Sequence, residues 1–393
     1  KGVGTGGVAP LWGAITGAGI DEDVLEAYAF LSEVYSPESC AKKCDEIYVF
    51  GFSRGAYAAR IFAGFLEAAN LPVRAPGIDN EEQAIILKRV FKAFKSQTGA
   101  SARRAAVDRV PGFSRLPEQV SIKLLGLWDT VAALGWPNAK EDTDELEDRY
   151  LDQLCNVEHA AHALSIDDNR ATLFTPVLLT ADRLLQDCVS SPKMRSEDVE
   201  EVWFSGSHSD VGGGYSNTEL WGVSLNWMIR QLEPHGLLHD GTRVYANPLG
   251  RSNTTDTSVL GYLIYRNLNR RLSVYYTEAG NSYNGGKAKI HRSVFDRLER
   301  CEKLPRRFDW RWKYTDESSA DQIPDFSSCV RCLGTPEECA RCDHGDVQCE
   351  THGYRLAPVD NQQCFTIEEY SGGADVRSAD WDERPDCQKY QPM

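Results

Sequence analysis

The sequence predicts an α/β fold, a mainly parallel sheet flanked by helices and followed by a cysteine-rich C-terminal extension. Three observations predict it. Short apolar runs at 46–50, 120–127 and 199–204 alternate with segments of helical periodicity. The first run leads directly through a glycine-flanked turn into a helix. Eight of the 12 cysteines lie from Cys301 to Cys387, beyond the alternating region.

Residues 1–19 are glycine-rich and read as loop. Asp21 is a suitable N-cap for a helix over 21–35, where Val24, Leu25, Tyr28, Leu31 and Tyr35 recur at helical spacing; Ser36-Pro37 ends it. After a polar loop, 46–50 reads as a short buried strand. Small and apolar residues then predict a helix over 56–69, and an amphipathic pattern predicts another over 80–95. Arg103, Arg104 and Arg109 read as a solvated basic loop. The run 120–127 predicts a second buried strand, ending at Trp128-Asp129-Thr130. Residues 157–164 read as helical and 171–179 as extended. A third strand over 199–204 ends in a loop from Ser205 to Tyr215, and a helix follows over 219–232. Beyond about residue 241 the pattern weakens. Asn281-Ser-Tyr-Asn-Gly-Gly286 reads as an exposed turn, so the expected division is a domain over 1–285 and an extension over 286–393.

Against 43 Lys and Arg stand 58 Asp and Glu, a formal net charge of −15. Such a balance disfavours nucleic-acid binding, whose affinity comes mostly from neutralising phosphates. It also disfavours adsorption to anionic membranes through bulk charge, without excluding peripheral contact through a local patch. No apolar run approaches the ~18 residues of a transmembrane helix. Residues 1–10 lack the pattern of a signal peptide.

Gly51-Phe52-Ser53-Arg54-Gly55 is a G-x-S-x-G pattern between a predicted strand and a predicted helix, the setting in which that pattern marks a nucleophile elbow. The glycines would let the chain turn sharply, lifting the Ser53 hydroxyl off the sheet edge. The Arg54 N–H at the helix start would face a developing oxyanion. The alternative is a serine in a purely structural turn. A serine needs a base, itself oriented by a carboxylate. Among the histidines, His208 follows a predicted strand at the sheet edge, where ligands bind in such folds. His159 and His162 read as packing residues on a helix. Asp129 ends a strand and gives the chain order Ser, Asp, His; Asp210 is too near His208 in sequence to partner it and is read as tying down the glycine loop.

Three blocks, Gly51-Phe-Ser-Arg-Gly-Ala-Tyr57, Gly126-Leu-Trp-Asp-Thr-Val131 and His208-Ser-Asp-Val-Gly-Gly-Gly-Tyr215, together with Gly2-Val-Gly-Thr-Gly6, His162-Ala-Leu-Ser-Ile-Asp167 and 220–228, resemble one α/β-hydrolase family. It is the family related to the phospholipase effectors of type VI secretion, long known as a domain of unknown function and found in bacteria and fungi. The resemblance covers residues 1 to about 235. It implies an α/β-hydrolase-like sheet, here lacking its first strand or strands, a triad of Ser53, Asp129 and His208, and phospholipase-like hydrolysis of lipid acyl esters without a cofactor or metal. The family's first strand and Asp-Gly-Thr loop have no counterpart in this sequence, which puts a second oxyanion donor in question. The tail carries no resemblance.

Cys329-x-x-Cys332 and Cys339-x-x-Cys342 have zinc-knuckle spacing, but six residues between the pairs are fewer than usual. Disulfides and free thiols stand as alternatives, and Cys40 and Cys44 are close enough for a local pair. Disulfides would favour an extracellular location; otherwise a cytoplasmic one is expected. The first half, with Cys155 and Cys188, reads as an ordinary core.

The expected activity is thus that of a serine esterase or lipase. Two other readings stand beside it: a small-ester carboxylesterase or peptidase with the same triad, and a non-catalytic binding module on a truncated hydrolase fold. Length and composition fix neither acyl specificity nor oligomeric state.

Overall fold

The computed structural model describes residues 19–36, 45–73, 77–131, 154–168, 195–215, 219–239, 241–248 and 288–294. It also describes short pieces at 170–171, 174, 176–179, 188, 250, 266–267, 296, 330–332, 356–358 and 365–368. The chain forms two compact units, Lys1–His162 with Thr175–Glu200, and Ala163–Phe174 with Glu201–Met393. The turn expected at 281–286, the cysteines at 40 and 44, and the side chains of Cys329, Cys332, Cys339 and Cys342 lie outside the described residues.

In the first unit, β1 (Ile47–Phe52) pairs in parallel with β2 (Ile122–Trp128), with Phe50 opposite Gly126 and Phe52 opposite Trp128. On the other side of β2 runs β3 (Ala160–Ser165), led in by hydrogen bonds from Glu158 N–H to the Ile122 carbonyl and from Leu125 N–H to that of His159. Helix α1 (Ile20–Val34) precedes β1. It begins at Gly19, and Asp21 sits in its first turn, where a carboxylate favours the helix dipole, instead of capping it. Helix α2 (Arg54–Ala69) leaves β1 at once. Residues 56 to 69 of this helix are all buried, which its small and apolar sequence permits. Helix α3 (Asn80–Lys95) is capped by Asp79, whose side chain accepts the Glu82 N–H at 2.8 Å. Tyr28 of α1, Phe65 of α2, and Phe91 and Phe94 of α3 form one aromatic cluster, with Phe65 4.5 Å from Tyr28 and 5.0 Å from Phe91.

Three further expectations are corrected in this unit. Residues 157–164 are not a helix but lead into and largely form β3. All six residues of that strand are buried, and a strand buried on both faces loses the alternation that would identify it. Arg103 and Arg104 are not in a loop but in helix α4 (Ala100–Asp108); Arg103 is buried, its guanidinium 4.6 Å from the Phe94 ring centre. Cys155 and Cys188 are joined by a disulfide across 33 residues.

In the second unit, the end of β3 lies beside β5 (Val199–Phe204), with the Ile166 N–H donating to the Phe204 carbonyl at 3.0 Å. β3 and β5 each cross the division between the units. β5 is followed by β7 (Ala288–His291), Trp203 pairing in parallel with Ile290, and β7 by β10 (Phe365–Glu368), again in parallel. Two strands from the expected extension therefore join β5 in one sheet. Small antiparallel pairs join β4 (Arg170–Ala171) to β6 (Arg266–Asn267) and β8 (Val330–Cys332) to β9 (Leu356–Pro358). The short helix α5 (His208–Gly212) and the longer α6 (Trp221–Leu232) pack together, Ser224 Oγ donating to the Val211 carbonyl. A parallel sheet flanked by helices makes the class α/β.

Candidate functional site

The chain leaves β1 and enters α2 through a single residue, Ser53, at φ 59° and ψ −127°. A non-glycine residue there is strained by about 1–3 kcal/mol. What imposes the turn is the close approach of Gly51: a Cβ on it would lie 2.5 Å from the Ala56 Cα and from the Gly55 carbonyl oxygen, both backbone. Gly55 is different. A Cβ there would meet nothing within 4 Å, so of the two flanking glycines only Gly51 is demanded by a close approach. The turn is tied at both ends. Ser53 N–H donates to the Trp128 carbonyl at 2.9 Å, and the Ser53 carbonyl accepts from Ala56, Tyr57 and Val131 N–H groups. Arg54 opens α2, so its N–H belongs to the first turn, ahead of the intrahelical ladder. Burial lowers the pKa of its guanidinium.

Asp129, the residue after β2, is fully buried and has φ 40°. The bonds at Trp128 and Val131 thus bring the sequence-predicted Ser53 and Asp129 to adjacent strand ends. The next residue, Thr130, is held from two directions. Its N–H donates to Nε2 of buried His162 at 3.1 Å, and its carbonyl accepts the Val177 N–H at 2.8 Å. Buried Arg60 of α2 in turn donates to the Val177 and Leu178 carbonyls at 2.7 and 3.1 Å. His162, expected on a helix, is a strand residue that accepts through Nε2, which requires a neutral ring protonated at Nδ1.

His208, the sequence-predicted base, lies in the second unit. It is not in a loop but opens the five-residue α5, and it is 4% exposed. A capping box holds the helix start: Ser207 is the N-cap, and the Asp210 carboxylate accepts both the Ser207 N–H and hydroxyl at 2.9 Å. Asp210 therefore fixes the start of the helix carrying His208. The loop before it is fastened to the end of β3. Gly206 N–H donates to Asp167 Oδ2 at 2.7 Å, the Gly206 carbonyl accepts from Ser165 Oγ at 2.8 Å, and His208 N–H donates to Asp168 Oδ2 at 3.1 Å. Asp167 closes the block 162–167 singled out in the sequence; Asp168 and Arg170 lie just beyond it and were not singled out.

The site thus sets a strained serine between a parallel strand and a buried helix of an α/β chain. Residues 1–231 match the family model of the T6SS phospholipase effector Tle1-like catalytic domain, and the chain belongs to that family. It is also 30% identical over 169 residues to "Uncharacterized protein YEL023C" of Saccharomyces cerevisiae (strain ATCC 204508 / S288c). That similarity covers 40% of this chain and 22% of the yeast protein, so the chain spans about a fifth of the relative it matches. No solved structure matches. Among the described residues, no helix is long and apolar enough to cross a membrane.

Proposed function

We propose that the chain is a serine hydrolase that cleaves carboxylic esters of lipids, with Ser53 as nucleophile, His208 as general base and Asp129 as the orienting carboxylate. The observation that carries the reading is the backbone at Ser53. A strained non-glycine residue at φ 59° and ψ −127° stands between a parallel strand and the helix on which Gly51 packs. Such strain is characteristic of functional sites. Membership of a phospholipase catalytic-domain family supports lipid esters as the substrate class.

In this reading His208 accepts the Ser53 hydroxyl proton as Oγ attacks the ester carbonyl carbon. The carbonyl oxygen takes up the negative charge, facing the Arg54 N–H and the dipole of α2. The tetrahedral intermediate collapses, expelling the alcohol, which receives the proton from His208. Water, deprotonated by the same imidazole, then attacks the acyl carbon; the bond to Ser53 Oγ breaks, His208 returns the proton to that oxygen, and the carboxylic acid is released. Asp129 keeps the imidazole in the required tautomer and stabilises its charged form.

The experiment is hydrolysis of phosphatidylcholine vesicles and of a short-chain p-nitrophenyl ester by the wild type and by Ser53→Ala, with fluorophosphonate labelling of both. The expected result is vesicle hydrolysis and labelling, both abolished in the variant. Activity on the small ester alone would make the chain a carboxylesterase. No activity and no label at Ser53 would point to a binding module instead.

A further inference from the structure

Around His208 the second unit builds an arrangement that the proposed chemistry has not yet used. The Asp168 side chain is fully buried. Its Oδ2 accepts the His208 N–H at 3.1 Å and Nη2 of Arg170 at 2.6 Å, while Oδ1 accepts the Arg170 N–H at 2.9 Å and Nε at 3.2 Å. The guanidinium thus grips the carboxylate side-on with Nε and Nη2, a two-point geometry that gives an arginine–carboxylate pair its directional rigidity. The same guanidinium lies over Phe174, its central carbon 3.5 Å from the ring centre. Phe174 meets the His208 imidazole in an edge-to-face contact, with centroids 4.8 Å apart and planes at 78°. The chain of contacts closes on one residue. The ion pair reaches His208 at its backbone N–H and, through Phe174, at its ring.

A buried ion pair is a costly way to gain stability, because desolvating two charges offsets most of their attraction. What it supplies is fixed geometry. Guanidinium–π stacking holds Phe174 by its face, and Phe174 then presents a fixed surface to the imidazole. General-base transfer needs the ring within hydrogen-bond reach of the nucleophile, and displacement by about an ångström can cost about a hundredfold in rate.

We propose that Asp168, Arg170 and Phe174 are positioning residues that fix His208, the ion pair holding its backbone and the arginine-backed phenyl ring setting the plane of its imidazole. The proposal rests on the reading of His208 as the base.

The test uses the full chain as wild type, Phe174→Leu, Phe174→Tyr, Arg170→Lys and His208→Ala. Hydrolysis of a p-nitrophenyl ester and of phosphatidylcholine vesicles gives kcat per fluorophosphonate-titrated site and KM, and a thermal melt reports folding. The expected result for Phe174→Leu is a fall in kcat of about ten- to a hundredfold with KM within about twofold. Phe174→Tyr, which keeps the ring, should recover most of it. Arg170→Lys, which keeps the cation but loses the fork and the stack, should fall between them. Should Phe174→Leu fail to fold, the same prediction falls to Arg170→Lys. Wild-type kcat in these variants, or a rise in KM alone, overturns the inference. His208→Ala separates the two levels. If it is inactive while Phe174→Leu matches the wild type, only the positioning fails; if it keeps wild-type activity, the base assignment fails and the positioning with it.

Discussion

Gly51 and Gly55 flank the same serine and look equivalent in the motif, yet the structure gives them opposite tolerances. Alanine at 51 places its Cβ 2.5 Å from the Ala56 Cα, 2.5 Å from the Gly55 carbonyl oxygen and 2.7 Å from the Ala56 nitrogen. Relief requires the start of α2 to move by about an ångström. That helix is buried along almost its whole length, so the strain spreads into its packing. Overpacking costs about 1–3 kcal/mol, and a clash with backbone belongs at the upper end. Alanine at 55 meets nothing within 4 Å and stands in the first turn of a helix, where it is worth up to about 1 kcal/mol over glycine. The two variants should therefore differ by about 3–4 kcal/mol. Urea unfolding followed by tryptophan fluorescence measures this. Gly51→Ala should lower the midpoint strongly, and Gly55→Ala should leave it unchanged or raise it. Equal losses in the two variants would refute the steric argument.

Three further outcomes follow from buried polar groups. Asn70, at φ 52°, donates through its side-chain amide to the Leu116 and Glu118 carbonyls at 2.9 and 2.7 Å and accepts the Val120 N–H at 3.0 Å. Asn70→Ala should cost about 3 kcal/mol or more by denaturant titration, and Asn70→Gly slightly less, because glycine relieves the φ penalty. Glu67, 2% exposed, has no hydrogen-bond partner for either carboxyl oxygen among the described residues. Burial pushes its pKa from 4.5 up to about 7, against the opposing charge of Arg104. The folded state therefore holds the proton more tightly than the unfolded one. Stability is lost as pH rises from 4.5 to about 7, by about 3 kcal/mol, and Glu67→Gln should remove that slope. His291 is fully buried against Phe204, and burial, with Arg230 adding to it, pushes its pKa from 6.5 down to about 3. Its share of stability is complete above pH 6.5 and lost as pH falls toward 3, by up to about 5 kcal/mol, so His291→Gln should flatten the acid limb of a pH–stability curve.

The part of the fold most legible in the sequence was the run from β1 into α2, because three signals coincide there: a short apolar strand, a glycine-flanked serine and a helix of small residues. β3 was misread since six buried residues in a row carry no period of either two or 3.6. Arg103 was misread for its charge, although Ala100, Arg103 and Val107 stand at helical spacing and are the buried face of α4. The Cys155–Cys188 bridge was hidden because pairing depends on distance in space, and 33 residues separate the two. Asp168 and Arg170 were hidden for a similar reason. They pair with each other locally, while the Asp168 carboxylate also accepts the N–H of His208, 40 residues away.

Among the described residues only three non-glycines have positive φ: Ser53, Asn70 and Asp129. Asn70 accounts for itself, since its side chain makes three hydrogen bonds from that conformation. Ser53 and Asp129 are the other two. Each costs about 1–3 kcal/mol, and each persists because its neighbours over-determine it. Ser53 is clamped between the Trp128 carbonyl and the first N–H groups of α2, and the turn after Asp129 is clamped through Thr130 and Val131 by His162, Val177 and the Ser53 carbonyl. Arg60 links the two clamps: it starts from α2, the helix that Ser53 begins, and holds the carbonyls of Val177 and Leu178, while the Val177 N–H holds the Thr130 carbonyl. Strain at two adjacent strand ends, shared through one scaffold, is what a site requires if a nucleophile and its carboxylate must keep a fixed spacing while protons move. A purely structural turn has no such requirement.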